Sequence, residues 1–146
     1  MVNFKLLSIV SSSVFVASAV GQRVLCYSGF QYNCTRFIDQ FCDHAVANTY
    51  NPYDAMSRCF NTGQGSKCDL TVWLQNPTGQ NQIPSNANCK AALRTAMQSC
   101  VSGGTGQFSG APFQFGIDPN GGQCIGNIGN GNRLENVTEV VVAPVA

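Results

Sequence analysis

The sequence predicts a small, disulfide-rich α+β domain in which two helices pack on an antiparallel sheet of three to four strands. Two stretches of the 146-residue chain show the helical spacing of apolar residues, and other segments alternate in the manner of strands. Eight cysteines in a chain of this length favour disulfides formed in an oxidising compartment. Length and composition together indicate one folded domain.

The first predicted helix covers residues 35–47, where Asn33 or Thr35 can cap its start and Pro52 follows its end. The second predicted helix covers residues 85–100 and ends before Gly103 and Gly104. Each has one apolar stripe: Phe37, Ile38, Phe41, Cys42, Ala45 and Val46 in the first, and Cys89, Ala92, Leu93, Ala96, Met97 and Cys100 in the second.

Residues 53–61 and 67–75 are predicted to be two strands joined by the turn residues 62–66. A symmetric hairpin would place Cys59 opposite Cys68 and Arg58 opposite Asp69, so that Arg58 shares the outer face of the sheet with Trp73. Met56 and Phe60 would share that face. Residues 107–118 are predicted to be one further strand, followed by a turn at 118–122.

The cysteines are predicted to form four disulfides. None of them forms a Cys-x-x-Cys pair, so no zinc or thioredoxin-type site is indicated. Antiparallel helices and a symmetric hairpin would give the pairs Cys34–Cys100, Cys42–Cys89, Cys59–Cys68 and Cys26–Cys124.

Residues 1–19 have the features of a signal peptide: Lys5, an apolar stretch and the small residues Ala17 to Ala19. The stretch is too short and too rich in serine to favour a membrane anchor, so a secreted, extracellular protein is expected. The sequence then divides into a cysteine-rich domain at 23–124 and a Gly/Asn-rich tail at 125–146. Asn136 and Asn33 lie in glycosylation sequons, and Asn136 is the better acceptor because Cys34 can bury Asn33.

The charge balance argues against a nucleic-acid partner. Eight basic and seven acidic residues give a formal net charge of +1, and loss of Lys5 with the signal peptide would leave a neutral chain. Asn and Gln number 25, well above the charged residues, which suits a neutral ligand rich in hydroxyl groups.

Catalytic signatures are weak. His44 is the single histidine and falls on the polar face of the first helix, and no Gly-x-Ser-x-Gly elbow occurs. Glycoside hydrolysis needs two carboxylates across a cleft, and the spacing does not favour such a pair, although Asp54 and Asp118 could face each other. The carboxylates are also too scattered for calcium. We therefore expect no enzyme activity, no metal and no cofactor.

Trp73 is the most informative side chain, because the apolar residues Leu70, Val72 and Leu74 point to the other side of its strand. An outward indole beside polar groups suits the stacking of a sugar ring. Three readings stay open from the pattern: sugar stacking, a subunit interface, and packing within the chain.

Several segments carry a family resemblance. They are VLCYSG at 24–29, FIDQFC at 37–42, SRCFN at 57–61, GSKC at 65–68, NCKAAL at 88–93, GGTGQ at 103–107 and FQFGIDPN at 113–120. Together they resemble the small secreted glycan-binding proteins of mushrooms, the family typified by the shaggy ink cap glycan-binding protein. The resemblance covers Cys26 to Cys124.

This resemblance implies an α+β lectin that binds complex glycans, including fucosylated GalNAc–GlcNAc types, without catalysis. It also implies a homodimer that extends the sheet, and a role in defence. The site residues come instead from the strand pattern: Trp73 to stack on a sugar, with Arg58, Asp69, Thr71, Gln75, Gln114 and Asp118 as hydrogen-bonding neighbours. The alternatives are a secreted structural or effector-like protein that binds another protein, and a small hydrolase.

Overall fold

The computed structural model describes residues 21–75 and 79–125, and the backbone alone of residues 138–142. Its helical elements are a short 3-10 helix at Thr35–Phe37, which leads into α1 at Ile38–Ala45, and α2 at Asn86–Ser99. Its strands are β1 Gln22–Cys26, β2 Ala55–Asn61, β3 Ser66–Leu74, β4 Gly104–Phe108, β5 Phe113–Gly121 and β6 Thr138–Val142. The predicted signal peptide and Asn136 lie outside the described residues.

The strands form one antiparallel sheet in the order β1-β4-β5-β3-β2-β6. The predicted α+β class is confirmed, but the sheet has more strands than the three or four expected. The predicted strand 107–118 is in fact parts of β4 and β5, separated by a turn in which Gly110 has a φ of +76°. β1 and β6 are strands that the alternation pattern did not reveal.

Both helices pack on one side of the sheet, and the core lies between the two layers. Alternate residues of β3 supply its centre, because side chains of a strand point to opposite faces in turn. Leu70, Val72 and Leu74 are fully buried there, with Phe115 and Ile117 of β5 beside them. The apolar stripes of the helices meet this surface through Ile38, Phe41, Cys42, Ala45, Cys89, Ala92, Leu93 and Ala96.

The β2–β3 hairpin has a register one residue away from the symmetric one. Phe60 lies opposite Cys68, and Arg58 lies opposite Leu70 rather than Asp69. The loop closes through a hydrogen bond from the Thr62 amide to the Ser66 carbonyl at 3.0 Å. Since a shift of one residue turns every side chain of a strand to the other face, Met56 and Phe60 lie in the core and not on the outer face.

The same shift explains most of the errors in the predicted disulfides. Cys59 and Cys68 lie on opposite faces of the sheet, so they cannot bond to each other. The pairs are Cys42–Cys89, as predicted, and Cys26–Cys100, Cys34–Cys68 and Cys59–Cys124, which differ from the prediction. Cys34 precedes the 3-10 helix and meets the inward Cys68, and Cys100 at the end of α2 meets β1.

The segment 118–122 is largely strand and not the predicted turn, because β5 continues through Pro119 to Gly121. A proline disrupts a strand that has neighbours on both sides. The pairing of β5 with β4 ends at Ile117, so that at Pro119 only β3 flanks the strand.

Asn33 is exposed rather than buried with Cys34, and its side-chain oxygen accepts the Thr35 amide at 2.9 Å. In the part of the chain that is described, no helix is long and apolar enough to cross a membrane.

Candidate functional site

The side of the sheet that faces away from α1 and α2 is covered by polar and aromatic side chains, and we call it the outer face. Strand alternation and the cross-strand register place its side chains in rows that run across the strands. One row is Arg23, Gln107, Gln114, Trp73 and Ala55, and the next is Leu25, Thr105, Gly116, Thr71 and Ser57.

Trp73 lies on this face with 42% of its surface exposed. Its neighbours across the strands are Gln114 on β5 and Ala55 on β2. Because Ala55 is small, it leaves that side of the indole accessible. The exposure excludes core packing, one of the three readings of Trp73, and leaves sugar stacking and an interface.

Three glutamine side chains beside Trp73 form an ordered amide cluster of Gln75, Gln107 and Gln114. The Gln75 amide donates to the Gln114 oxygen at 2.7 Å, and the Gln107 amide donates to the Gln75 oxygen at 3.4 Å. Gln107 also donates to the carbonyl of Ala111 at 3.0 Å. These bonds fix the orientation of the amides, so that their remaining donor and acceptor positions point in defined directions.

The amide cluster forms part of a concavity of about 230 Å³, which we call the amide concavity. Its lining is Arg23, Leu25, Gln75, Thr105, Gln107 and Gln114. Typical small-molecule pockets are larger, about 300–1,000 Å³. The concavity therefore suits one part of a ligand that continues across the face.

Two hydroxyl groups lie in the next row. The Ser57 and Thr71 side-chain oxygens are 2.7 Å apart and share a hydrogen bond. Gly116 separates Thr71 from Thr105 in this row, and an ideal Cβ built there would lie 3.2 Å from the Tyr27 hydroxyl. The outer face is thus recessed at Gly116, and hydroxyl groups surround this recess.

Asp69 and Asp118 lie directly opposite each other in the row beyond. Asp69 is held by Lys67, whose Nζ is 2.9 Å from Oδ2, and by the Asn120 amide, which donates to the same oxygen at 3.0 Å. Partial desolvation of the Tyr27 hydroxyl, and then the nearby Asp118 carboxylate, raise the pKa of this group, which therefore stays protonated at neutral pH.

The structure brings six of the seven predicted site residues together on the outer face: Trp73, Asp69, Thr71, Gln75, Gln114 and Asp118. Arg58 is the exception. The hairpin register turns it to the helix side of the sheet, where its guanidinium contacts Nε2 of His44. The prediction that Arg58 shares a face with Trp73 is therefore wrong. His44 is half-buried in this contact rather than fully solvated.

The carboxylates considered for hydrolysis do not face each other. Asp54 precedes β2 and accepts the Asn51 amide at 2.8 Å, whereas Asp118 is level with Asp69 on β3. Asp54 lies beside Leu74 of β3, and Asp118 lies beside Asp69 of the same strand. These two positions are five residues apart, or roughly 16 Å of strand. That exceeds the spacing of about 5–9.5 Å between the carboxyl groups of glycosidases.

Sequence reasoning missed the half of the site that β1 and β4 supply. Arg23, Leu25 and Tyr27 project from β1 and its extension, and Thr105 and Gln107 project from β4. A usable signal was present in residues 104–107, where glycines alternate with Thr105 and Gln107. The glycines are needed because a Cβ on Gly106 would lie 2.7 Å from the Ala92 carbonyl of α2.

A family model described as Glycan binding domain Y3 matches residues 33–124. The chain is also similar to a protein of Coprinus comatus named Antiviral protein CAP, at 46% identity over 95 residues. That match covers 64% of this chain and 93% of the relative.

Proposed function

The chain belongs to the Glycan binding domain Y3 family, and from this premise we propose that it is a secreted lectin that binds complex glycans on its outer face. The binding is not followed by a reaction on the sugar. Fucosylated GalNAc–GlcNAc structures are the first ligands to test.

The observation that carries the site is the exposed indole of Trp73 beside ordered amides and hydroxyls. A pyranose has faces of C–H groups, which pack on an aromatic ring, and a rim of hydroxyl groups, which hydrogen bond to amides. Trp73 can supply the first contact, and Gln75, Gln114 and Thr71 can supply the second. Asp69 and Asp118 lie in the adjoining part of the outer face and can accept hydrogen bonds from further hydroxyl groups.

The predicted signal peptide and the four disulfides support the proposal of secretion, because disulfides persist in oxidising compartments. A defensive role is supported by the name of the Coprinus comatus relative, Antiviral protein CAP. A lectin that acts in defence would recognise glycans on the surface of another organism or particle.

We also propose a homodimer in which the sheets of two copies join along β1. β1 is one of the two edge strands of the described sheet, with β4 on one side only, and β6 beside β2 is the other. Joining two copies at β1 would bring two outer faces side by side, which increases avidity for surfaces with many glycans.

A glycan array tests the lectin proposal, with the oxidised protein and a Trp73→Ala variant. Loss of a buried aromatic contact costs about 2 kcal/mol or more, so we expect at least roughly thirtyfold weaker binding by the variant. Ile83→Ala is the matched control, because Ile83 is also an exposed apolar residue but lies away from the outer face. Unchanged binding by Trp73→Ala would remove this site, and no binding across a broad array would contradict the lectin proposal itself.

A further inference from the structure

Arg23 differs from the other basic residues of the described chain in having no partner there. It is exposed, and its side chain takes part in no hydrogen bond, ion pair or ring contact with the described residues. The others are engaged: Lys67 with Asp69, Lys90 with Asp43, Arg94 with Asp39, Arg36 with the Thr62 carbonyl, and Arg58 with His44.

Arg23 lies on the outer face, in the same row of side chains as Trp73. It lines the amide concavity, and the register places it in one row with Gln107, Gln114 and Trp73. Arg23 and Trp73 are therefore separated by three steps between neighbouring strands, or roughly 14 Å between their backbones. Two amides lie between them, so a ligand that touches both ends is longer than one sugar ring.

The charges of the outer face are separated along the strands. The Asp118 carboxylate has no hydrogen bond or ion pair with the described residues, and Asp118 lies four residues along β5 from Gln114, which is in the same row as Arg23. That is roughly 13 Å of strand. An anionic ligand is attracted to the Arg23 end of the face and repelled from the Asp118 end.

A guanidinium prefers planar oxyanions, which it binds through two parallel N–H···O bonds. The glutamine amides can already form hydrogen bonds with neutral hydroxyl groups, because an amide both donates and accepts. We infer that the amide concavity binds an acidic substituent of the glycan, a carboxylate or a sulfate, through Arg23. The adjoining part of the same glycan stacks on Trp73.

This inference rests on the proposed lectin function, and an array of matched glycan sets tests both separately. Each set holds a neutral glycan, its sialylated form and its sulfated form. We expect the acidic forms to bind roughly tenfold more tightly than the neutral one, in line with a hydrogen bond to a charged group. The preferred acidic form identifies whether the substituent is the carboxylate or the sulfate.

The variant Arg23→Gln should reduce the affinity for the acidic forms to the level of the neutral glycan. Arg23→Lys keeps the positive charge but cannot form the two parallel N–H···O bonds of a guanidinium. It should therefore retain only part of the preference for acidic glycans. Arg94→Gln is the control, because Arg94 lies on α2 at the helix side and pairs with Asp39. The preference of the unmodified protein for acidic over neutral glycans should also decrease as the salt concentration rises from about 0.05 M to about 0.5 M.

Equal binding of neutral and acidic forms, or a preference that survives in Arg23→Gln, would overturn the acidic subsite and leave the lectin function standing. A complete lack of glycan binding would overturn both. Circular dichroism of each variant establishes that the fold is intact.

Discussion

Gly116 is the residue that allows a second aromatic group to reach the middle of the outer face. Tyr27 follows β1, and its amide donates to the Gly103 carbonyl at 2.9 Å, which holds its side chain toward this face. The Tyr27 hydroxyl comes close to the place where a side chain at position 116 would begin. A glycine at this position therefore brings together a phenol, two threonines and the Asp118 carboxylate.

The ionisation of Tyr27 tests this arrangement. Its pKa is raised by burial and by Asp118, so Asp118→Asn should lower the pKa while burial keeps it above the ordinary value of 10.0. Because the folded-state pKa is the higher one, the stability that Tyr27 contributes is present below pH 10.0 and is lost as pH rises through the folded-state pKa. Asp118→Asn should reduce this loss.

Absorbance of the phenolate during an alkaline titration measures the pKa, and subtraction of a Tyr27→Phe titration isolates Tyr27 from the other tyrosines. Asp69→Asn is the control, since Asp69 is not among the groups that shift Tyr27. An equal effect of both carboxylate variants would show that Tyr27 senses the general charge of the face rather than Asp118.

The helices and the central strand β3 could be predicted from the sequence because burial there follows a simple period. Cys68, Leu70, Val72 and Leu74 alternate with polar residues, and all four are fully buried. The hairpin register was harder, since the Gly-rich loop 62–66 decides it through local backbone geometry that alternation does not encode. One residue of register changed the face of Arg58 and the partners of two cysteines.

β1 and β4 were missed for a different reason. β4 carries glycine at the positions where a strand would usually show apolar residues, because α2 and β1 leave no space for side chains. A Cβ on Gly104 would lie 2.3 Å from the Leu25 carbonyl. The strand is thus defined by close packing of its neighbours, and its sequence signal is an alternation of glycines with Thr105 and Gln107 rather than of apolar residues. Half of the candidate site was lost from the prediction with it.

The connection between α2 and β4 offers a test of this close packing. Gly103 and Gly110 have nearly the same backbone conformation, with φ of +73° and +76°. A Cβ at Gly103 would lie 2.1 Å from the Ile117 carbonyl, whereas nothing lies within 4 Å of a Cβ at Gly110. Gly110→Ala should cost about 1–2 kcal/mol from conformation alone, and Gly103→Ala about 1–3 kcal/mol more from overpacking.

Urea unfolding followed by circular dichroism gives the two free energies of unfolding. Gly110→Ala acts as the internal control, because it introduces the same conformational strain without the contact. Equal losses of stability in both variants would mean that the connection relaxes away from β5 and that its packing does not constrain β4.

The described residues of the molecule form a sheet with two helices on one face, a second face without helices, and one edge strand at each end. At one end β6 pairs with Ala55 to Cys59 of β2. At the other end β1 pairs with β4 on one side only, so β1 and β6 are the two edge strands of the described sheet. An uncovered edge strand presents unpaired amide and carbonyl groups and can bind another strand.

The backbone of β1 shows which of its groups are available. The Gly21 carbonyl accepts the Ser109 amide at 2.8 Å, and the Tyr27 amide donates to Gly103 at 2.9 Å, so odd-numbered residues face β4. Backbone groups alternate in direction along a strand, and Gln22, Val24 and Cys26 therefore direct theirs outward. An antiparallel pairing of two β1 strands would use these groups in a symmetric contact.

Two proline variants distinguish the backbone groups of β1 that point outward from those that pair with β4. Val24→Pro removes one outward amide, so it should convert the proposed dimer to a monomer with its fold retained, because proline is tolerated on edge strands. Leu25→Pro removes an amide that faces β4 and leaves its acceptor unsatisfied, so it should destabilise the domain by about 1–3 kcal/mol. Sedimentation velocity measures the first effect and urea unfolding the second. If the unmodified protein is monomeric across the measured concentrations, or if Val24→Pro stays dimeric, β1 is not the dimer edge.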